Sequence, residues 1–250
     1  MSSDVFTTIE GFGSTRLVQG GSNYFLYPNG GSAVELSYAG APVVDGQFDQ
    51  FGGHWVPIGA EQTASGYEAA WKVTGADKYT VWYTDNSGNY LSSAFDVASG
   101  TSAALQSFET SFHQDLNGDA LIGPSTISAG ETLEVISSYS GQVSFAASTG
   151  TLELLNSSTF AGTVAGMTGQ DTIDFADIDP TKVHQPVYSG TASGGTLTVT
   201  DGSHTANIAL LGNYMASTFV TSSDGHGGTN VVDPSAVWTQ TSLLVQPQHA

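Results

Sequence analysis

The chain has 250 residues, of which 23 are acidic and 4 are basic, and its formal net charge is −19. Because so few cations cannot neutralise a run of phosphates, the composition excludes nucleic acid as a partner. Repulsion between the acidic residues and anionic lipids likewise excludes anionic membrane surfaces. Uncompensated carboxylates repel one another in a compact protein, so the acidity is either balanced by bound divalent cations or serves only solubility.

The chain contains no cysteine and therefore has no disulfide framework. No apolar run approaches the roughly 20 residues that span a bilayer, so no membrane insertion is expected. Residues 1–4 lack the basic and apolar regions of a secretory signal. We therefore expect the protein either to stay in the cell or to be exported by a route that does not read the N-terminus.

Abundant Gly, Ser, Thr and β-branched residues indicate β structure with many turns. The composition changes near Pro124, because three of the four tryptophans and seven of the ten tyrosines precede it. We predict a mainly β protein with a tryptophan-rich β domain at 1–124, a Gly/Ser/Thr-rich β domain at 125–235 and a C-terminal tail at 236–250.

The first domain is predicted to contain short strands separated by glycine turns, at residues 16–18, 24–27, 34–38 and 72–84, with a turn at 85–89. One helix is expected near residues 102–114. Ser102 is a suitable N-cap, and Leu105, Phe108 and Phe112 follow at helical spacing. This helix would lead the chain directly into an acidic loop.

The second domain shows short apolar segments that are mostly about eight to twelve residues apart, and glycine turns separate most of them. The segments lie at 133–136, 143–145, 152–154, 172–175, 197–199, 208–210 and 219–220. Such spacing suits either a β-sandwich or a β-solenoid. The intervals are irregular, whereas a solenoid usually has a steadier period, so both architectures remain open.

The acidic loop, residues 115–119, carries the clearest chemistry in the sequence. Asp115, Asn117 and Asp119 occupy positions 1, 3 and 5 of an EF-hand-like loop, and the backbone carbonyl of Leu121 would occupy position 7. Oxygens at alternate positions converge on a hard cation. The sequence therefore predicts calcium as the cofactor, with these four residues as its ligands.

Two positions of this loop depart from the EF-hand pattern. Ala120 replaces the glycine of position 6, and Thr126 replaces the bidentate carboxylate of position 12. Water or a distant acid would complete the coordination, with Glu109 and Glu131 the nearest candidates. We expect weak binding, on the order of 10⁻⁴ to 10⁻³ M. We also expect Asp115→Ala to leave melting in chelator nearly unchanged. The alternative is an Asx-rich surface turn that binds no metal.

Two further groups have alternative interpretations. Asp171, Asp174, Asp177 and Asp179 form a second acidic run. On a strand Asp177 and Asp179 would share a face, and a bound cation would then relieve their repulsion. The alternative is a solvated strand edge, and this is the favoured interpretation. The tryptophans at 55, 71 and 82 either form a ligand-binding platform for sugar rings or fill a small β core, and the core is favoured.

Residues 55–61, 66–72, 79–82 and 112–119 together resemble a tryptophan-rich module that recurs in large secreted bacterial proteins, often beside calcium-binding repeats. Residues 194–202, 204–212 and 223–228 resemble a C-terminal β region of such exoproteins, which include adhesins. The resemblance implies type I secretion with an uncleaved C-terminal signal. We expect residues 237–250 either to act as that signal or to dock on the β domain. The resemblance implies no catalytic residues.

The favoured function is that of a secreted, calcium-binding exoprotein acting in adhesion or in binding polysaccharide or a cell-surface glycan. A non-catalytic secretion or spacer module is the alternative. A less favoured one is an extracellular glycan hydrolase that uses carboxylates such as Glu61 and Glu68, because glycoside hydrolysis needs a pair of acids.

Overall fold

The computed structural model describes residues 6–234, and the chain divides into two compact units after Pro124. Within the described part, strands predominate and a single α-helix is present. The prediction of a mainly β protein is therefore confirmed. No described helix is long and apolar enough to cross a membrane. The predicted secretion signal at 237–250 lies outside the described residues.

The first unit begins with two small sheets of antiparallel strands. The strands are β1 (Phe6–Glu10), β2 (Thr15–Gly20), β3 (Asn23–Pro28), β4 (Val34–Glu35), β5 (Ser37–Tyr38) and β6 (Ala41–Pro42). Strands β1 to β4 pair in chain order, and β5 pairs with β6. Alternate residues of β3 are buried, so its Tyr24 and Leu26 enter the core as a strand period of two requires.

A longer antiparallel sheet follows in the same unit. Its strands are β7 (Asp49–Gln50), β8 (Gly53–Thr63), β9 (Gly66–Val73), β10 (Tyr79–Thr84) and β11 (Tyr90–Ser93). They pair strictly with their sequence neighbours, because each is joined to the next by a short turn. This sheet supplies all three tryptophans of the unit and most of its core.

The predicted helix is confirmed as α1 (Ala103–Phe112). The Ser102 side chain accepts a hydrogen bond from the Leu105 amide, and the helix ends at His113, which has a φ of 51°. Leu105 and Phe112 pack with Tyr79 and Val81 of β10 in a second core cluster. The chain then passes through the acidic loop into β12 (Leu121–Ile122).

The second unit consists of short strands and one 3-10 turn at Ser157–Thr159. The strands are β13 (Thr126–Ile127), β14 (Thr132–Val135), β15 (Gln142–Phe145), β16 (Thr151–Leu154), β17 (Thr163–Ala165), β18 (Thr172–Phe175), β19 (Val187–Thr191), β20 (Gly194–Thr200), β21 (Thr205–Leu211), β22 (Val220–Ser223) and β23 (Thr229–Val232).

Successive strands of this unit alternate between two parallel ladders, which makes it a short β-solenoid. Strands β14, β16 and β18 form one ladder, and β13, β15, β17 and β21 form the other. Thr132 pairs with Thr151, 19 residues on, and Thr151 pairs with Thr172, 21 residues on. The irregular coil length explains why the sequence showed no steady period. Antiparallel strands β23 and β20 cover the last rungs.

The acidic run of the second unit does not lie on one strand. Asp174 is on β18, whereas Asp177 and Asp179 lie in the turn beyond it. Asp177 accepts from the Ser157 amide, and Asp179 pairs with Lys182 at 2.8 Å. Buried Asp171 accepts from the Gly150 and Thr168 amides. The premise that Asp177 and Asp179 share a strand face is therefore wrong.

Candidate functional site

The acidic loop is a tight turn built around the carboxylate of Asp115. Its Oδ1 accepts hydrogen bonds from the backbone amides of Gly118 at 2.6 Å and Asp119 at 3.1 Å. Its Oδ2 accepts one from Ala120 at 2.7 Å. Three backbone donors therefore converge on one side chain and fix the course of the loop between α1 and β12.

The side chains of Asn117 and Asp119 lie next to one another in this turn. The Nδ2 of Asn117 donates to Asp119 Oδ2 at 3.0 Å, and its Oδ1 accepts from the Asp119 amide at 2.8 Å. Asp119 Oδ1 accepts from the Leu121 amide at 2.9 Å. A carboxylate has about four acceptor sites, so these bonds leave capacity on both acids. The structure brings all three predicted side chains into one turn.

Ala120 adopts a left-handed backbone conformation, with a φ of 74°. This is the loop position at which an EF-hand has its glycine, because a side chain strains the sharp turn there. The loop thus makes the turn that glycine normally makes, at the cost of strain on an alanine.

Glu109 on α1 connects the two ends of the loop. It is fully buried, and its carboxyl oxygens accept from the Leu116 amide at 3.2 Å and the Gly123 amide at 3.0 Å. Burial raises its pKa from 4.5 to about 8, with the nearby charges of Asp119 and Asp115 adding to the rise. Glu109 therefore holds both ends of the loop in position from the buried side of α1. The charges of Asp115 and Asp119 make the electrostatic potential around its carboxyl group negative.

The donors of this loop fit a hard cation. They are two carboxylates, one amide and backbone carbonyls, all oxygen ligands of the kind that calcium prefers. Across residues 6–234, no group of three or more His, Cys, Asp or Glu side chains is placed to hold a metal ion, so the amide and water would be needed. Glu131, the other suggested acid, accepts from the Ser128 amide in its own turn.

The three tryptophans at 55, 71 and 82 lie on one face of the long sheet. In the strand register Trp55 is opposite Val73, Pro57 is opposite Trp71, and Ala69 is opposite Trp82. Positions 69, 71 and 73 of β9 alternate onto the same face, so the tryptophans of β8 and β10 join that of β9 there. The predicted candidates are therefore brought together.

These tryptophans are both core residues and walls of a cleft. They are 8%, 1% and 9% exposed, respectively, so the core interpretation is correct. They also line a cleft of about 490 Å³. We call it the aromatic cleft; its other aromatic walls are Tyr38, Phe48, Tyr90 and Phe95. The ring centroids of Trp71 and Trp82 are 4.4 Å apart, and those of Trp82 and Tyr90 are 4.8 Å apart.

Polar groups are interspersed among these rings. Asp49, Gln47 and Asp96 line the aromatic cleft and are exposed. The indole N–H of Trp55 donates to Gln50 Oε1 at 3.0 Å. The indole N–H of Trp71 is buried and has no acceptor among the described residues. A buried donor without a partner is rare in native proteins and marks a place where a ligand or water supplies one.

A second cavity, of about 580 Å³, brings Glu61 and Glu68 together. The two residues are directly opposite on β8 and β9. Burial raises the pKa of Glu68. Glu61 is 5% exposed, and its carboxylate accepts from the amide and the hydroxyl of Ser14. The carboxylate of Glu61 therefore holds the turn between β1 and β2.

Sequence reasoning missed several parts of both sites. Tyr38, Phe48 and Tyr90 were not recognised as walls of the aromatic cleft, because two lie on separate short strands and Phe48 lies in a loop, and no periodicity connects them. The clustering of aromatic residues before Pro124 was the available signal. Gly100, whose carbonyl accepts from Asn117 Nδ2, carried no signal in the sequence.

Comparison with known families finds a match within the first unit. Residues 15–123 match the family described as Tryptophan-rich Synechocystis species C-terminal domain. The chain therefore contains a tryptophan-rich module, as its motifs indicated. This module comprises β2 to β12, with the acidic loop and every residue that lines the aromatic cleft. No curated protein and no solved structure matches the chain.

Proposed function

We propose that this protein is a secreted, calcium-stabilised exoprotein whose tryptophan-rich module binds polysaccharide or a cell-surface glycan, and that it acts in adhesion. The observation that carries the proposal is the aromatic cleft, in which Trp55, Trp71 and Trp82 converge with two tyrosines and two phenylalanines. Ligand sites have volumes of about 300–1,000 Å³ with mostly apolar walls and a few polar groups, and this cleft has that character.

The chemistry of the cleft suits a pyranose ring. The rings of Tyr38 and Trp82 both line the cleft, with centroids 5.8 Å apart, and would offer apolar surface to the C–H groups of a sugar. The carboxylates of Asp49 and Asp96 accept from sugar hydroxyls, and the unpartnered indole N–H of Trp71 donates to one. A hydroxyl-rich ligand with one apolar face can pack on the aromatic rings and form hydrogen bonds with the polar groups of the cleft.

Calcium would be held by the carboxylates of Asp115 and Asp119, the amide oxygen of Asn117 and the carbonyl of Leu121, with water completing the shell. Its charge offsets the negative potential around Glu109 and stabilises the turn. At a calcium concentration ten times the dissociation constant, the gain in folding free energy is about 1.4 kcal/mol. This is a supporting role, and catalysis is not part of the proposal.

A glycan array probed with the labelled protein, in calcium and in chelator, tests the proposal. The key variant is Tyr38→Ala, since Tyr38 lines the cleft and is 39% exposed. Tyr83→Ala is the matched control, because Tyr83 is 38% exposed but packs on Phe108, away from the cleft. Loss of one stacking ring should weaken binding about fivefold, from a contribution of about 1 kcal/mol.

The outcomes separate the alternatives. Binding that is weakened about fivefold in Tyr38→Ala and unchanged in Tyr83→Ala supports a glycan site in the cleft. No bound glycan in either buffer supports a secretion or spacer module instead. Turnover of a bound glycan would indicate a hydrolase. Fractionation of the native host tests export separately, since a protein confined to the cytosol contradicts the extracellular role.

A further inference from the structure

We infer that the aromatic cleft selects uncharged, hydroxyl-rich sugar units and rejects anionic ones such as uronates and sulfated sugars. This inference rests on the proposed glycan binding and specifies its ligand class. It is carried by the charges that line the cleft.

The ionisable groups of the lining, apart from its tyrosines, are two carboxylates, those of Asp49 and Asp96. Both residues are exposed, and neither side chain has a hydrogen bond or ion pair within residues 6–234. No lysine, arginine or histidine is among the lining residues. The nearby cation Lys78 lies over the ring of Phe51, outside the lining. The cleft therefore presents uncompensated negative charge to whatever enters it.

An anionic sugar would meet these carboxylates with no cation to pair its own charge. In water, the repulsion between two like charges about 4 Å apart lowers affinity about fivefold. With two carboxylates in the cleft, we expect neutral sugars to bind at least about tenfold more tightly than anionic ones. The penalty should decrease in high salt, because both groups are exposed to solvent.

Negative charge and aromatic rings also suit a quaternary ammonium ligand, as in aromatic cages. The indole N–H of Trp71 favours the sugar instead. Trp71 lines the cleft, and its indole N–H is buried and without an acceptor among the described residues, so a ligand that brings an oxygen acceptor satisfies this donor. A quaternary ammonium group carries no acceptor, whereas a sugar ring carries several.

The test uses an array in which each backbone is present in neutral, carboxylated, sulfated and amino forms, together with free choline as a competitor. The wild type should bind the neutral form at least about tenfold more tightly than the anionic forms. The ratio of neutral to anionic affinity should decrease in 0.5 M salt, a condition chosen because it reduces the screening length to about 4 Å and so weakens the repulsion. Asp49→Asn with Asp96→Asn should shrink it as well, without loss of fold, because both side chains are exposed.

Glu153→Gln is the matched control for each substitution, because it removes one charge on β16 of the second unit and should leave the ratio unchanged. Equal or tighter binding of anionic forms overturns the selectivity while leaving glycan binding intact. Displacement by choline overturns it in favour of an ammonium ligand. Failure of every sugar to bind refutes the proposed function itself, so the two failures are distinguishable.

Discussion

The side-chain amide of Asn117 donates a 2.8 Å hydrogen bond to the carbonyl oxygen of Gly100. This bond connects the acidic loop to the segment that follows β11. That segment contributes Phe95, Asp96 and Val97 to the aromatic cleft, and its Ala98 pairs with Tyr79 through two backbone bonds. A cation that orders Asn117 therefore acts on the same stretch of backbone that forms one wall of the cleft.

Asn117→Asp separates the structural role of this residue from its role as a ligand. The variant keeps an oxygen for calcium but loses the donor to Gly100 and places a third carboxylate beside Asp119. In chelator we expect a loss of about 1–2 kcal/mol of unfolding free energy, and calcium should restore most of it. Urea titrations followed by tryptophan fluorescence measure this.

Asn89→Asp is the control for this variant. Asn89 Nδ2 also donates to an aspartate, Asp85, at 2.9 Å, in a turn with no predicted calcium ligand. Its replacement should destabilise the protein to the same degree in chelator and in calcium. Equal behaviour of the two variants would show that Asn117 has no connection with a cation.

Asp115→Ala should destabilise the protein even in chelator, contrary to the expectation from sequence. The substitution removes the acceptor of three backbone amides, which costs about 1–2 kcal/mol in a partly exposed turn. It should also abolish the calcium-dependent rise in melting temperature. Asp224→Ala is the matched control, because Asp224 likewise accepts from three backbone amides. Asp224→Ala should lower the melting temperature but leave its calcium-dependent rise unchanged.

Local features of the fold were predictable because they depend on neighbouring residues. The helix α1 follows from the Ser102 cap and the spacing of Leu105 and Phe112, and the structure has both. The strands of the second unit were located largely from short apolar segments bounded by turns. The loop geometry was predictable for the same reason, since the three backbone amides that donate to the Asp115 carboxylate lie within five positions of it.

Long-range pairing was not predictable. Coil lengths in the solenoid vary between 19 and 21 residues in one ladder. In the other ladder β17 pairs with β21, although three strands, β18 to β20, lie between them in the sequence. The aromatic cleft joins residues as far apart as Tyr38 and Val97. Such contacts depend on tertiary packing, and no spacing rule in the sequence encodes them.

The buried carboxyl of Glu109 should make stability depend on pH. Its pKa is raised from 4.5 to about 8 in the folded protein, so the stabilising effect of its proton is complete below pH 4.5 and is lost as the pH rises towards 8. Burial raises the pKa of Glu10 to about 7, which adds to the same decline. Unfolding free energies measured from pH 4.5 to 8 in chelator should therefore fall.

Calcium and substitution should both reduce this dependence on pH. A cation beside Asp115 and Asp119 favours the ionised form of Glu109 and flattens the decline. Glu109→Gln removes the titrating group and should leave a smaller slope that is due to Glu10 and to the other carboxyls with raised pKa values, Glu68 and Asp174. An unchanged slope in Glu109→Gln would show that this carboxyl does not titrate in that range.

The solenoid core should be sensitive to loss of a single inward side chain. Leu152 is fully buried and lies between Leu133 and Ile173 on adjacent rungs. Leu152→Ala should cost about 2–5 kcal/mol, observed as earlier urea unfolding by circular dichroism. Leu155→Ala, at a residue 40% exposed, should change stability by less than about 1 kcal/mol. Similar losses in both would contradict the assigned register.

Ala120→Gly should stabilise the protein. Ala120 has a φ of 74°, a conformation that costs an L-residue about 1–2 kcal/mol and costs glycine almost nothing. Glycine also gains entropy in the unfolded chain, which offsets part of the benefit, so we expect a net gain of about 0.5–1 kcal/mol. Because glycine relaxes the backbone and removes no ligand, the gain should appear in chelator and in calcium alike.

Ala64→Gly is the control, because Ala64 lies in the turn between β8 and β9 and has a negative φ. With no strain to relieve, only the entropy of the unfolded chain changes, and this variant should be destabilised by up to about 1 kcal/mol. Opposite signs for the two substitutions, measured in the same urea titration, would show that Ala120 is strained. A destabilised Ala120→Gly would mean that the loop does not make the EF-hand turn at this position.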